Sequence, residues 1–500
     1  MTQDLRKEII TYVSYENSRT EELLSDLEKR LYCLDKFSDE AKELIDLFYF
    51  DLKKIFSIAI LKSLEIQHNL MAFEDGNRLN KFPYITYENV RRGGRGEEKI
   101  FGRSYAGSSK SKKLWDRFVG ILIEYFPNVK LRIVGLGIDV QTPKNIFALI
   151  TAGFLPYFFS INPKNIKKKC LNEKFDFYSL TAHIYNAVIG VGIRELSFDA
   201  SKFLAETIVS HITALYNDYT CPDTSAVNLL VIGSGTDFRN RVLARNASNA
   251  GKKVVLLMHG SGYGLLRERV FGPIGDHYKA SHILGYGSCG EQSIRRYAKY
   301  FCPRQRSVLF RRSNSPDLKN KNTAHKVFKR IIYVPTTLSG GLYRYGPHRD
   351  APDPLYLKWH EVLRSFFKDQ LYVKIHPKDQ FRKIEPHDKV ILGKLSDVVK
   401  DGDLLVFDYV STALYEAIQT KVSIVFIDIG LRNIRPEVEE MLSRRCHYIR
   451  KDENLPDLND LWEIFSSKVI DDGLANHVCG GNRGISRSRA LKELLLSKNV

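Results

Sequence analysis

Residues 404–427 read LLVFDYVSTALYEAIQTKVSIVFI. The apolar runs Leu404–Phe407 and Ser423–Ile427 predict two strands, and the segment between them, from about 411 to 419, predicts a helix. Working outward, the same alternation continues on both sides. Upstream lie a strand at Ile331–Val334, a helix over 354–368, and strands at Leu371–Ile375 and Val390–Leu392; more helix follows 427. Strands that are apolar throughout belong to a parallel sheet covered on both faces. An earlier block repeats the pattern. Asn228–Ile232 (NLLVI) is followed by Gly-Ser-Gly, a helical segment over 237–250 and a strand at Val254–Met258, about as short as a βαβ crossover gets. His282–Leu284 and Ser307–Phe310 are weaker strand candidates.

Two alternating blocks, 226–310 and 331–450, therefore predict two Rossmann-type α/β domains, with the polar, basic stretch 311–330 as linker. The expected divisions are a helical region with a basic Gly/Ser-rich loop (1–113), a first Rossmann-like domain (114–320), a second (325–470) and a tail or helix (471–500). Helical spacing marks the first 72 residues, at Leu23, Leu24, Leu27 and Leu31 and again at Leu44, Ile45, Leu47 and Phe48. Residues 73–113 form a long Gly-, Ser- and base-rich loop. A strand is expected at Leu131–Leu136, and 179–218 is rich in helix signal. Ile146–Ile161 is the longest uncharged apolar stretch; it is shorter than the ~20 residues of a spanning helix and reads as a buried helix-to-strand unit.

Composition is globular, with 43% hydrophobic and 27% charged residues, which excludes disorder, collagen and disulfide scaffolds. An excess of 76 Lys and Arg over 58 Asp and Glu leaves +18 and points to an anionic partner: nucleic acid, a lipid surface or phosphorylated substrates. The seven cysteines (Cys33, Cys170, Cys221, Cys289, Cys302, Cys446, Cys479) are scattered without ligand spacing, which argues for reduced thiols and against zinc. The opening MTQDLRKEII has no apolar signal core. A cytoplasmic protein, resting peripherally on the inner face of the cell membrane, is the expectation.

Three motifs follow strands, where ligands of open α/β sheets bind. His259-Gly260-Ser261-Gly262-Tyr263-Gly264 combines glycines that admit a ligand with a His able to act as general base; a tight turn with a hydrogen-bonded His is the other reading. Lys374-Ile375-His376-Pro377-Lys378 sets an imidazole between lysines, suited to a phosphate, or is a His-Pro turn. Asp408-Tyr409-Val410-Ser411-Thr412, with Glu416 beyond, puts hydroxyls at a helix start, suited to an anion; either hydroxyl alone equally serves as a helix cap. Glu416 either bonds a ribose hydroxyl or is solvated.

In order and spacing the three motifs resemble GT-B glycosyltransferases of bacterial surface-polysaccharide synthesis. The chain is similar to teichoic-acid glycerophosphotransferases (HG, HP, then D-Y-S-S, with Val410 as an extra residue here). It is also similar to bacterial sialyltransferases (HP and a Ser-Ser/Ser-Thr pair). A surface-carbohydrate transferase family offers H-G-x-x-Y-G, an acidic residue and an aromatic-Gly strand end, matched by His259–Gly264, Glu268, Asp276 and Gly285-Tyr286-Gly287. The resemblance covers roughly 226–450. It implies a GT-B-like fold of two facing Rossmann-type domains with parallel sheets, plus a helical N-terminal extension.

The implied activity is transfer of a sugar or polyol phosphate from a nucleotide-activated donor, cytidine favoured, to a glycan or lipid-linked glycan of capsule, O-antigen or teichoic type. Lys374, His376, Lys378, Asp408, Ser411, Thr412 and Glu416 would bind the donor. His259 would be the general base, with Gly260, Gly262, Tyr263 and Gly264 on the acceptor side and Glu268, Asp276 or Asp75 (from Glu74-Asp75-Gly76, the sialyltransferase acidic pair) as alternatives. No metal or other cofactor is expected, since lysines and a helix N-terminus can offset the leaving group's charge. An acidic membrane surface is a further expected partner.

Other motifs fail on their letters. Gly102-x4-Gly107 continues as Ser-Ser-Lys, with its lysine misplaced for a P-loop, Gly233-Ser-Gly235 lacks the third dinucleotide glycine, and Lys164–Lys169 reads as a solvated face. A non-enzymatic nucleic-acid binder is the competing class, but the basic residues are dispersed and no RNA- or DNA-binding signature is present, so no nucleic acid is expected. Nucleotide-sugar epimerase or hydrolase activity on the same fold is the third reading.

Overall fold

A computed structural model describes residues 22–33, 38–67, 118–119, 133–137, 141, 143–158, 176–217, 224, 227–235, 237–258, 264–266, 277–292, 309–313, 328–335, 353–375, 389–393, 395–400, 402–431, 434–450, 460, 463, 471–479 and 487–496. The described strands form two parallel six-stranded sheets. The first contains β1 (Ile133–Leu136), β2 (Leu155–Tyr157), β3 (Leu229–Ile232), β4 (Lys253–Leu257), β5 (His282–Tyr286) and β6 (Leu309–Ser313), in the order β2-β1-β3-β4-β5-β6. The second contains β7 (Arg330–Tyr333), β8 (Leu371–Lys374), β9 (Lys389–Ile391), β10 (Asp403–Phe407), β11 (Ser423–Ile427) and β12 (His447–Ile449), in the order β12-β11-β10-β7-β8-β9. The linker is shorter than the polar stretch implied. Arg311–Ser313 continue β6 and Arg330 opens β7, because each pairs along a neighbouring strand.

Helices cover both faces of each sheet. One face of the first sheet packs on α1 (residues 22–32), α2 (Asp39–Gln67), α4 (Phe177–Gly192), α5 (Phe198–Asn217) and α6 (Phe238–Asn249) in one continuous core. The described helices of the N-terminal region are thus not an appendage. Leu44, Leu47, Phe48 and Phe56 are buried in the same cluster as Leu230, Ile232 and Leu256 of the strands. The opposite face packs on α3 (Pro143–Thr151) and on α11 (Arg487–Leu496), the last described helix, which follows the strands of the second sheet in the chain. Stretch 146–161 forms, over its described residues, the end of α3, a turn and β2.

In the second sheet, α7 (Asp353–Phe367) covers one face, with Trp359, Leu363 and Phe367 buried against β7, β8 and β10. On the other face lie α8 (Thr412–Ile418), α9 (Pro436–Arg445) and α10 (Gly473–Cys479). Pro436 at the first turn starts α9, where its missing N–H costs nothing. Arg445 at the end of α9 is 2% exposed and seals the end of α8. Its guanidinium donates to the carbonyls of Ile418 (3.2 Å), Thr420 (2.6 Å) and Val422 (3.2 Å), at the end of α8 and in the turn to β11.

A buried ion network ties α2 to α6. Arg241 donates to the Leu47 carbonyl (3.0 Å), to the Gly235 carbonyl (2.7 Å) and to Asp51. One turn on, Arg245 meets Glu43 at 2.9 Å, where Asn249 also donates at 3.2 Å. Burial works to raise the Glu43 carboxyl, but the charge of Arg245, the Asn249 hydrogen bond and the charge of Lys279 together hold it below its ordinary value.

The two bodies touch through segments that leave strand carboxyl ends. After β4, Leu266 forms an antiparallel bridge with Ile434, the Leu265 carbonyl accepts from the Arg435 backbone N–H (3.0 Å), and the Leu266 carbonyl accepts from its side chain (2.9 Å). After β5, Gly287 and Ser288 rest on α10.

Candidate functional site

The chain of the second sheet runs from β7 outward through β8 and β9, then returns to the other side of β7 and runs outward through β10, β11 and β12. The strand order therefore reverses between β7 and β10, where α7 departs on one face and α8 on the other. Helices diverging at such a point leave a crevice beyond the strand carboxyl ends, the usual ligand position in open α/β sheets. Five of the residues singled out in the sequence converge there: Lys374 ends β8, Asp408 follows β10, Ser411 caps α8, Thr412 begins it and Glu416 lies further along it.

Their local chemistry differs. Ser411 has extended backbone and its Oγ accepts from the Leu414 backbone N–H (3.3 Å), so it caps α8. Thr412 is exposed on the first turn. Asp408 is only 4% exposed and accepts from the hydroxyl of Tyr333, the last residue of β7. The Tyr333 ring in turn lies 5.5 Å from the ring of His360 on α7. Lys374 is buried, its Nζ donating to the Ile375 carbonyl (3.0 Å). Burial lowers its pKa, and the charge of Glu416 on α8 partly offsets this. Asp408 and Tyr333 thus work on the α7 side of the sheet, and Lys374 with Glu416 on the α8 side. Between them passes the 408–412 turn, bearing a hydroxyl, a helix start and a buried cation nearby. That combination can receive a phosphate.

His376 and Lys378, which follow β8, lie outside the described residues, as do Asp75, His259, Gly260, Gly262, Tyr263, Glu268 and Asp276. Gly264 is described; a β-carbon there would stand 2.6 Å from Cys289 Sγ, so its glycine has a packing reason. Gly285 and Tyr286 end β5. Gly287, with φ +53°, approaches the His477 backbone of α10, while Ser288 Oγ and His477 Nδ1 share a hydrogen bond of 2.7 Å. The aromatic-Gly strand end is therefore a seam between the two bodies. Sequence reasoning missed Tyr333 and His360. The faint signal was a hydroxyl-bearing residue closing an apolar strand, RIIY, at 330–333.

Among the described residues, no group of three or more His, Cys, Asp or Glu side chains is placed to hold a metal ion, and no helix is long and apolar enough to cross a membrane. Cys289 and Cys446 are buried and Cys33 is exposed.

No family model matches the chain, and no curated protein matches it. Among solved structures, the chain is similar to one described as the crystal structure of the GtfA/B complex, with a TM-score of 0.31 and 10% identity. That match covers 53% of this chain and 56% of the other, so the chain spans little more than half the length of this neighbour.

Proposed function

We propose that the chain is a metal-independent transferase that moves a glycosyl or polyol-phosphate group from a nucleotide-activated donor to a surface-glycan acceptor. The observation that carries this reading is the gathering of Lys374 and the Ser411–Thr412 turn at the point where the strand order of the second sheet reverses. The donor's phosphates would meet the turn, Lys374, and the His376 and Lys378 that follow β8. A cytidine nucleotide is the favoured carrier.

In the reaction, His259 takes the proton of the acceptor hydroxyl, whose oxygen bonds to the donor's anomeric carbon or, for a polyol phosphate, to its phosphorus. The bond from that centre to the nucleotide oxygen breaks, and its electron pair stays on the nucleotide phosphate. The cations and the helix start offset the charge that develops there. One displacement at carbon inverts it.

Thermal unfolding with CMP, CDP, UDP, GDP and ADP tests the donor site, on wild type, Lys374→Ala and His376→Ala. A nucleotide at a hundred times its Kd adds about 2.7 kcal/mol to stability, a readily measured rise in Tm. The expected outcome is a rise with one nucleotide, largest for a cytidine, that both variants abolish. No rise with any of the five overturns the reading.

A further inference from the structure

We propose that Tyr333 is a positioning residue for the donor: through its hydrogen bond to Asp408 it holds the 408–412 turn in the shape that receives the phosphate. The inference rests on the donor-site reading above and adds a residue that touches no ligand.

The argument compares the two ends of one strand pair. β7 and β10 are neighbours in parallel register, with Arg330 beside Asp403 and Tyr333 beside Val406. At the amino end, Arg330 grips Asp403 in a bidentate ion pair, Nε to Oδ1 at 2.8 Å and Nη2 to Oδ2 at 2.6 Å. At the carboxyl end, the Tyr333 hydroxyl donates to Asp408 Oδ2. Both pairs pin the same strands, but only the second lies on the ligand side. Asp408 is the first residue beyond β10, and three residues later Ser411 caps α8. Removing the hydroxyl takes one hydrogen bond from a buried carboxylate, and the adjustment this forces passes into the backbone leading to the cap. The Tyr333 ring cannot shift to follow. It is fully buried, wedged with Leu355, Tyr356 and Trp359 and against His360. The hydroxyl is thus a fixed point from which the turn hangs.

The test is a double-mutant cycle on CDP affinity, read by titration calorimetry at a temperature where circular dichroism shows every variant folded. Tyr333→Phe keeps the ring and removes the hydroxyl; Asp408→Ala removes its acceptor and keeps the test available if the first variant does not fold. Each is expected to raise Kd about tenfold, with the double variant no weaker than either single. Arg330→Gln is the control. It breaks the pair at the far end of the same strands and is expected to lower Tm while leaving Kd unchanged. Wild-type affinity in Tyr333→Phe, together with lost binding in Lys374→Ala, overturns the positioning role and leaves the donor site standing. Equal weakening by Arg330→Gln and Tyr333→Phe overturns it too, because the effect is then general destabilisation. Losses that multiply independently in the double variant also overturn it. If the wild-type chain binds none of CMP, CDP, UDP, GDP and ADP, the donor site and the positioning role fall together.

Discussion

Any side chain at position 287 would put its β-carbon 2.1 Å from the His477 carbonyl oxygen, and the backbone there has φ +53°. Both the close approach and the left-handed conformation demand glycine. Gly287→Ala should therefore cost at least about 2 kcal/mol and loosen the contact between β5 and α10, as read by urea unfolding. A loss under 0.5 kcal/mol would mean that the seam yields easily. The same position shows how a site residue is legible only in part. The resemblance matched Gly285-Tyr286-Gly287 only as an aromatic-Gly strand end; the backbone that Gly287 approaches, at His477, lies 190 positions downstream by number. The placement of Lys374 and Asp408 at strand ends and of Ser411 and Thr412 at a helix start was readable, because these are local events. The contacts of Tyr333 with Asp408 and with His360 were not, because they join β7 to the end of β10 and to α7, which only folding makes neighbours.

At the scale of elements, α2 is held to α6 by charge as well as by apolar packing, through Arg245–Glu43 and Arg241–Asp51. Because the Glu43 carboxyl is held below its ordinary value of 4.5, its contribution is complete above that value and is lost as pH falls through the lower, folded-state value. Urea unfolding of wild type and Glu43→Gln should show an advantage of about 1 kcal/mol for wild type at neutral pH, shrinking on acidification below 4.5. A difference that grew on acidification would contradict the sign. Elements with strong patterns were legible nearly to the residue: the spacing predicted a strand at Ser423–Ile427, and β11 has those bounds. The strand at His447–Ile449 was not among the expected elements, since a three-residue strand carries no periodicity. The helical spacing of residues 23–48 declared one buried face, but amphipathicity does not name what it is buried against. For that reason these helices looked like an extension when they are the outer layer of the first sheet.

On the scale of the whole molecule, α11 closes the first sheet with Leu491, Leu494 and Leu495, packed beside α3 and against β5 and β6. Leu491 is fully buried, so Leu491→Ala should destabilise the first body by about 2–5 kcal/mol. Denaturant unfolding measures it, and a cost near zero would show that α11 is dispensable. The same crossing makes the second sheet an excursion, entered after β6 and left before α11. A ribosome thus delivers all of β1–β6 before the helix that lids them. At the usual pace of synthesis, the apolar face of the first body waits uncovered for on the order of ten seconds or more. The nascent chain is exposed for that interval to chaperones and to other unfinished copies of itself, and the first body becomes whole only when the second has already been made.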